Sequence, residues 1–173
     1  MGSEFGQFIE WKYDDQLDWF LLEYESHSKL QHYVSELNHL YLETPALWQV
    51  DDSWDGFRWI DADNREQSIF SYRRMDKNGN EVTVLLNFTP VVREDFLLGV
   101  TEAGAYEEIF NSDEERFGGS GVVNTGELKT TGKPWNFLPD SVKLRIPPLG
   151  MTIIRRKVKK AAPRKKTPQK SSK

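Results

Sequence analysis

Residues 69–88 read IFSYRRMDKNGNEVTVLLNF, and this stretch decides the fold. Residues 69–74 carry the aromatic and β-branched content of a strand. Val82, Val84, Leu86 and Phe88 alternate with Thr83, Leu85 and Asn87, the period-two pattern of a second strand with Leu85 as the one apolar residue on its other face. Between them Asp76-Lys77-Asn78-Gly79-Asn80 holds an Asn-Gly pair, and both residues tolerate the positive φ of a tight turn. The pattern predicts an antiparallel hairpin.

Outward from this hairpin the signals repeat. Pro90 removes a donor and ends the strand before it. Residues 95–100 and 106–111 predict two further strands joined through Gly104, and residues 57–60 predict one upstream of the hairpin. Val142, Leu144 and Ile146 alternate again, Pro147-Pro148 and Gly150 make a corner, and residues 151–155 close the sheet. Short strands at roughly ten-residue spacing with no helix between them predict a mainly β fold, an antiparallel β-sandwich. Upstream, Leu30, Tyr33, Val34, Leu37, Leu40 and Tyr41 share one face of a helix predicted over residues 28–42. Ser26 or Ser28 is the expected N-cap, and Pro45 disfavours a helical Thr44 and so stops it.

Charge divides the chain. Residues 1–154 carry 13 basic and 27 acidic side chains, whereas residues 155–173 carry ten basic side chains and no acid. A tail of this kind, residues 157–173, is expected to be disordered. It has no aromatic ring for base stacking, so nucleic acid is not an expected partner. The chain has no cysteine, which excludes disulfides and thiolate metal sites. No apolar run approaches a membrane span and no basic, apolar leader opens the chain, so a cytoplasmic location without a membrane partner is expected.

The candidate chemistry is sparse. Residues 1–19, MGSEFGQFIEWKYDDQLDW, set Glu4, Glu10 and Asp18 among Phe5, Phe8, Trp11 and Trp19, and Gly2 and Gly6 allow tight turns around Glu4. Carboxylates that bond hydroxyls beside rings that stack on sugar faces suit a carbohydrate site, and also suit the ordinary start of a globular chain. His27, His32 and His39 lie on or near the helix with no acid placed to complete a metal set. Phe117-Gly118-Gly119-Ser120-Gly121 lacks the Lys-Ser/Thr and following helix of a phosphate loop, so it reads as a flexible connection. No acid pair stands out as a catalytic dyad, and no cofactor is expected. Trp54 and Trp135 stand in polar, turn-rich surroundings (DDSWDG and TGKPWNF), where an exposed ring could stack on glucose or seal a loop. Trp19, Trp48 and Trp59 read as core. Glu4, Trp11, Trp54 and Trp135 are therefore the candidate substrate-binding residues, with no catalytic and no metal residue assigned.

Taken together, MGSEFGQ at 1–7, EW at 10–11, LDW at 17–19, ETPALW at 43–48 and GFRWID at 56–61 resemble the C-terminal part of bacterial 1,4-α-glucan (glycogen) branching enzymes. So do LLNFTPV at 85–91, EIFNSD at 108–113, FGGSG at 117–121 and PPLGMTII at 147–154. The resemblance runs to about Arg156. It implies that residues 1–46 are the last loop and helix of a (β/α)8 catalytic barrel of the α-amylase superfamily, and residues 47–156 its C-terminal all-β domain. It implies a glycosyltransferase of glycogen biosynthesis acting on α-glucan. The catalytic Asp, Glu and second Asp of that family belong to earlier barrel strands, so the chain is expected to be a fragment, inactive without the missing barrel. A free-standing glucan-binding module is the alternative. The helix stripe Leu30, Tyr33, Leu37 and Leu40 is then expected to stand partly exposed for want of the barrel.

Overall fold

The computed structural model describes residues 1–157. The basic tail expected to be disordered lies, from residue 158 on, outside the described residues.

Among the described residues, eight strands follow one α-helix. Helix α1 spans Glu25–Glu43, and the strands are β1 Phe57–Asn64, β2 Ile69–Met75, β3 Glu81–Asn87, β4 Arg93–Val100, β5 Ala105–Asn111, β6 Leu128–Lys129, β7 Asp140–Ile146 and β8 Met151–Arg156. Six of them form one sheet in the order β1-β2-β3-β8-β5-β6, and β4 pairs with β7 in a second. All pairs are antiparallel. The sheets face one another over Ile69, Leu85, Tyr106 and Ile154 from the large sheet and Leu98, Val100, Val142, Leu144 and Ile146 from the small one. The sandwich stands as expected. The two-residue β6 was not foreseen; just beyond it, Thr130 bridges to Val142 and so ties the two sheets together at one corner.

The expected alternation in β3 holds, and both of its faces are buried. Leu85 belongs to the sandwich interior, while Val82 and Val84 point the opposite way, into a second apolar layer with Phe110 and Ile153. That layer is roofed by Tyr33, Leu37 and Leu40 of α1 and by Ala46 and Leu47 of the turn Pro45–Leu47. The helix stripe therefore has a partner in the sheet, yet none of its side chains is fully buried, so it stands partly exposed as expected. A bulge in β5 between Glu108 and Phe110 makes the contact possible, because it puts Tyr106 on the sandwich side and Phe110 on the helix side of one strand.

Two further details differ from expectation. Helix α1 starts three residues earlier than expected and its N-cap is Tyr24, with no side-chain cap, because the 3-10 turn Trp19–Glu23 feeds directly into it. The β2–β3 connection is a five-residue loop in which only Gly79, not Asn78, takes positive φ. The Asp76 carboxylate closes it by accepting from Asn78 N–H (2.8 Å), Asn80 N–H (2.9 Å) and the Asn80 amide (2.7 Å). Burial works against the Asp76 charge, but these donors outweigh it and hold the carboxyl below the usual carboxylate range.

At the other end of β3, buried Asn87 joins two corners. Its Nδ2 donates to the carbonyls of Val91 and Pro147, both at 2.8 Å, and its Oδ1 accepts from Thr89 N–H. The Pro90 and Pro147-Pro148 corners are thus held together.

Candidate functional site

The N-terminal loop is anchored by Phe5, which is fully buried and stacked on Trp19 with ring centroids 5.3 Å apart. Gly2 and Gly6 adopt the left-handed backbone expected of them, at φ 73° and 71°. His27 donates from Nδ1 to the Phe5 carbonyl at 2.7 Å and packs against Phe8, so it fastens the loop to α1. Glu4 is exposed and lines an open groove of about 600 Å³ together with Ser28, Gln31, His32, Ser35 and Asn38 of α1. Trp11 is exposed further along the loop, at φ 52°.

Trp54 stands elsewhere, on the 3-10 turn Trp54–Gly56 that leads into β1. The residue is 74% exposed. The turn is held from below: Ser53 Oγ accepts from Asp55 N–H, and a Cβ on Gly56 would sit 1.8 Å from the Val50 carbonyl oxygen. Only glycine fits there. A cleft of about 300 Å³ opens beside the ring, lined by Val50, Asp51, Asp52, Ser53, Phe57 and Arg74. Arg74 Nη2 donates to Asp51 at 2.6 Å across the cleft floor. The larger groove by Glu4 is walled by the polar side of a helix and one exposed loop. The smaller cleft is the better-built one, because a fixed ring and an ion pair converge on it.

Trp135 lies on the side of the small sheet, before β7. Asn136 and Phe137 both take positive φ in a tight turn closed by Trp135 and Leu138. The Trp135 carbonyl presses on β4 so closely that a Cβ on Gly99 would lie 2.3 Å from it. Glu4 and Trp11 thus share the N-terminal loop, while Trp54 and Trp135 occupy separate parts of the fold. Trp19, Trp48 and Trp59, expected in the core, are 50%, 41% and 51% exposed. Trp59 lies on edge strand β1, on the same sheet face as Tyr72 and Val84 of the helix-side layer, and that strand has no second neighbour to bury the ring.

The glycine-rich loop proves ordered by an internal anion. The Asp113 carboxylate accepts from Ser120 N–H (2.8 Å), Ser120 Oγ–H (2.7 Å) and Val122 N–H (2.9 Å). The amides that a phosphate would need are already taken. Below the loop, burial raises the Glu108 carboxyl above its usual range against donors from Asn124 and Asn111.

The family model described as "Alpha amylase, C-terminal all-beta domain" matches residues 59–157. The chain belongs to this family. The 1,4-alpha-glucan branching enzyme GlgB of Halothermothrix orenii is 49% identical over 156 residues, covering 90% of this chain and 25% of the enzyme. That of Nitrosomonas europaea is 44% identical over 155 residues, covering 90% and 21%. The chain thus spans about a quarter or less of the length of these relatives. The catalytic module of the glycogen-degrading pneumococcal virulence factor SpuA shares the fold at TM-score 0.53 and 19% identity, over 82% of this chain and 20% of that one. The all-β domain assignment therefore rests on both sequence and shape.

Around Trp54 the sequence itself shows Asp51 and Asp52, but not the partner that comes from another strand. Arg74 and Phe57 reach the cleft through the β1–β2 pairing, in which Phe57 faces Arg74. No local pattern marks that meeting. Among the described residues, no helix is long and apolar enough to cross a membrane.

Proposed function

We propose that the chain serves as the C-terminal part of a 1,4-α-glucan branching enzyme, with residues 1–46 as the last loop and helix of the catalytic barrel and residues 47–156 as the all-β domain. The whole enzyme would transfer an α-1,4 glucan segment to a 6-hydroxyl, in the cytoplasm. The observation that carries this reading is the 49% identity over 156 residues with a branching enzyme. The chain's share is structural: the sheet layer of Val84, Phe110 and Ile153 grips the helix stripe and so would hold the end of the barrel in place. Glu4, Trp11, Trp54 and Trp135 are proposed as glucan-contacting residues, and none of them as catalytic.

The test is a chimera. Purified alone, the chain leaves the iodine colour of amylose unchanged. Joined in place of the corresponding segment to the remainder of the Halothermothrix orenii relative, it restores branching. A soluble, folded chimera without branching activity would overturn the reading, as would branching by the chain alone.

A further inference from the structure

We infer that the connection between β2 and β3 carries a self-modification site: Asn78, followed by Gly79, loses its side-chain ammonia in the folded protein, at a rate held down by Asp76.

The chemistry sets clear conditions. The backbone nitrogen of the next residue must reach the side-chain carbonyl carbon of an asparagine, and glycine in that place leaves the approach open because it has no Cβ. Asn78 is the one asparagine of the chain that precedes glycine. Both residues are exposed, and a Cβ on Gly79 would meet no atom within 4 Å, so a cyclic imide has room to close and water can reach it. Asn111, followed by the small Ser112, shows the contrast. It is fully buried and its amide is spent on Glu108 and the Val122 carbonyl, so it is not free to turn onto the Ser112 nitrogen.

The step balances with water alone as co-reactant. The Gly79 nitrogen gives its proton to hydroxide and bonds to Asn78 Cγ. The Cγ–Nδ2 bond then breaks, and the leaving nitrogen takes a proton from water and departs as ammonia. The succinimide that remains takes up water. Opening at Cγ leaves aspartate at position 78, whereas opening at the main-chain carbonyl leaves isoaspartate, with the chain now running through the side chain.

The turn restrains this step. Gly79 N–H donates to the Asp76 carbonyl at 3.1 Å, which ties down the attacking nitrogen, and Asn78 N–H is held on Asp76 Oδ1 at 2.8 Å. The Asp76 carboxylate also opposes the build-up of negative charge on that nitrogen. Closing the ring breaks the Gly79 bond. Isoaspartate then adds a carbon to a connection whose length is matched to the pairing of Met75 with Glu81, and a new carboxylate lies close to Asp76. The modification is a slow, one-way loosening of the central hairpin.

The test is incubation of the 173-residue chain in mildly alkaline buffer, with every asparagine followed by peptide mapping and mass spectrometry. Asn78 is expected to convert first, to a mixture of aspartate and isoaspartate. Its conversion should be roughly fivefold slower than in the same chain unfolded in urea, the fold-change that one restraining hydrogen bond is worth. Asp76→Ala should bring the folded rate up toward the unfolded one. Asn78→Gln, at an exposed position, should keep the fold and abolish the conversion. Converted material, separated by its added charge, should unfold at lower urea than the parent. Conversion of another asparagine before Asn78, or none at Asn78 in the folded chain, overturns the site. Equal rates in the folded and unfolded chain overturn the restraint, as does an unchanged rate in a folded Asp76→Ala. If Asp76→Ala does not fold, the comparison of folded with unfolded parent decides alone.

Discussion

The Tyr33 ring of α1 lies with its centroid 5.7 Å from that of Phe110 on β5, and Phe117 closes the triangle at 5.4 Å from Tyr33 and 5.6 Å from Phe110. Three rings from helix, strand and loop thus make one apolar joint. The helix cannot leave the sheet without exposing all three.

Phe110→Ala should cost about 3–5 kcal/mol, from lost transfer energy and the cavity left behind. Because the cavity opens under α1, amide protection in the helix should fall more than in the β4–β7 pair. Hydrogen exchange resolved by residue checks this. Equal loss in both places would show that the helix-side layer is not a separate unit.

Asn87→Ala strands the buried Pro147 carbonyl and frees the part-exposed Val91 carbonyl, which share one amide group. A loss of about 1–3 kcal/mol in urea unfolding is expected, on the order of one buried unsatisfied acceptor. Asn87→Asp should be as harmful, since a carboxylate cannot donate to them. A near-neutral alanine variant would refute the clamp.

Asp76 sets an acid sensitivity. Its folded-state carboxyl is lowered, so its contribution is complete above the unfolded value of about 4 and disappears as pH falls through the lower folded value. Asp76→Asn should therefore be less stable than the parent by about 1–3 kcal/mol at pH 7. The gap should narrow as pH drops from about 4 toward 2, and a gap independent of pH would contradict this.

Part of the apolar surface left open is in the N-terminal loop, where Phe8, Trp11 and Tyr13 are each more than three-quarters exposed. Replacing all three with serine should reduce apolar-dye fluorescence and self-association while leaving the unfolding midpoint nearly unchanged. Dye binding that persists would place the sticky surface elsewhere.

Much of the sandwich was legible because alternation and turn residues are local signals. Residues 69–74, 95–100 and 142–146 announce their strands by pattern alone. The helix stripe was legible too, but not what it touches, since a period of 3.6 gives a face without naming its partner. The misread tryptophans share that cause. Trp59 looks like core because its neighbours are apolar, yet its exposure depends on where α1 lies on the sheet, a contact between distant segments. The Trp54 cleft was half legible. An indole in an acidic turn stands out in the sequence, whereas the Arg74 that meets it comes from another strand. The Asp113 anchor had a usable signal, a carboxylate followed closely by a glycine-rich run, read instead as a flexible loop.

The two-sided burial of β3 has a consequence for how the chain finds its pairing. A strand with one wet face is aligned by its own alternation, because slipping one residue would put apolar side chains in water. For β3 that safeguard is weak: Val84 and Leu85 are both buried, so a slipped strand would still be greasy on each side. What distinguishes the correct alignment is punctuation at the ends. A one-residue slip would pull Asp76 away from the Asn78 and Asn80 amides and swing Asn87 away from the proline corners. Two polar side chains, neither of them in contact with the rings beside Trp54, therefore act as the reading frame of the central strand.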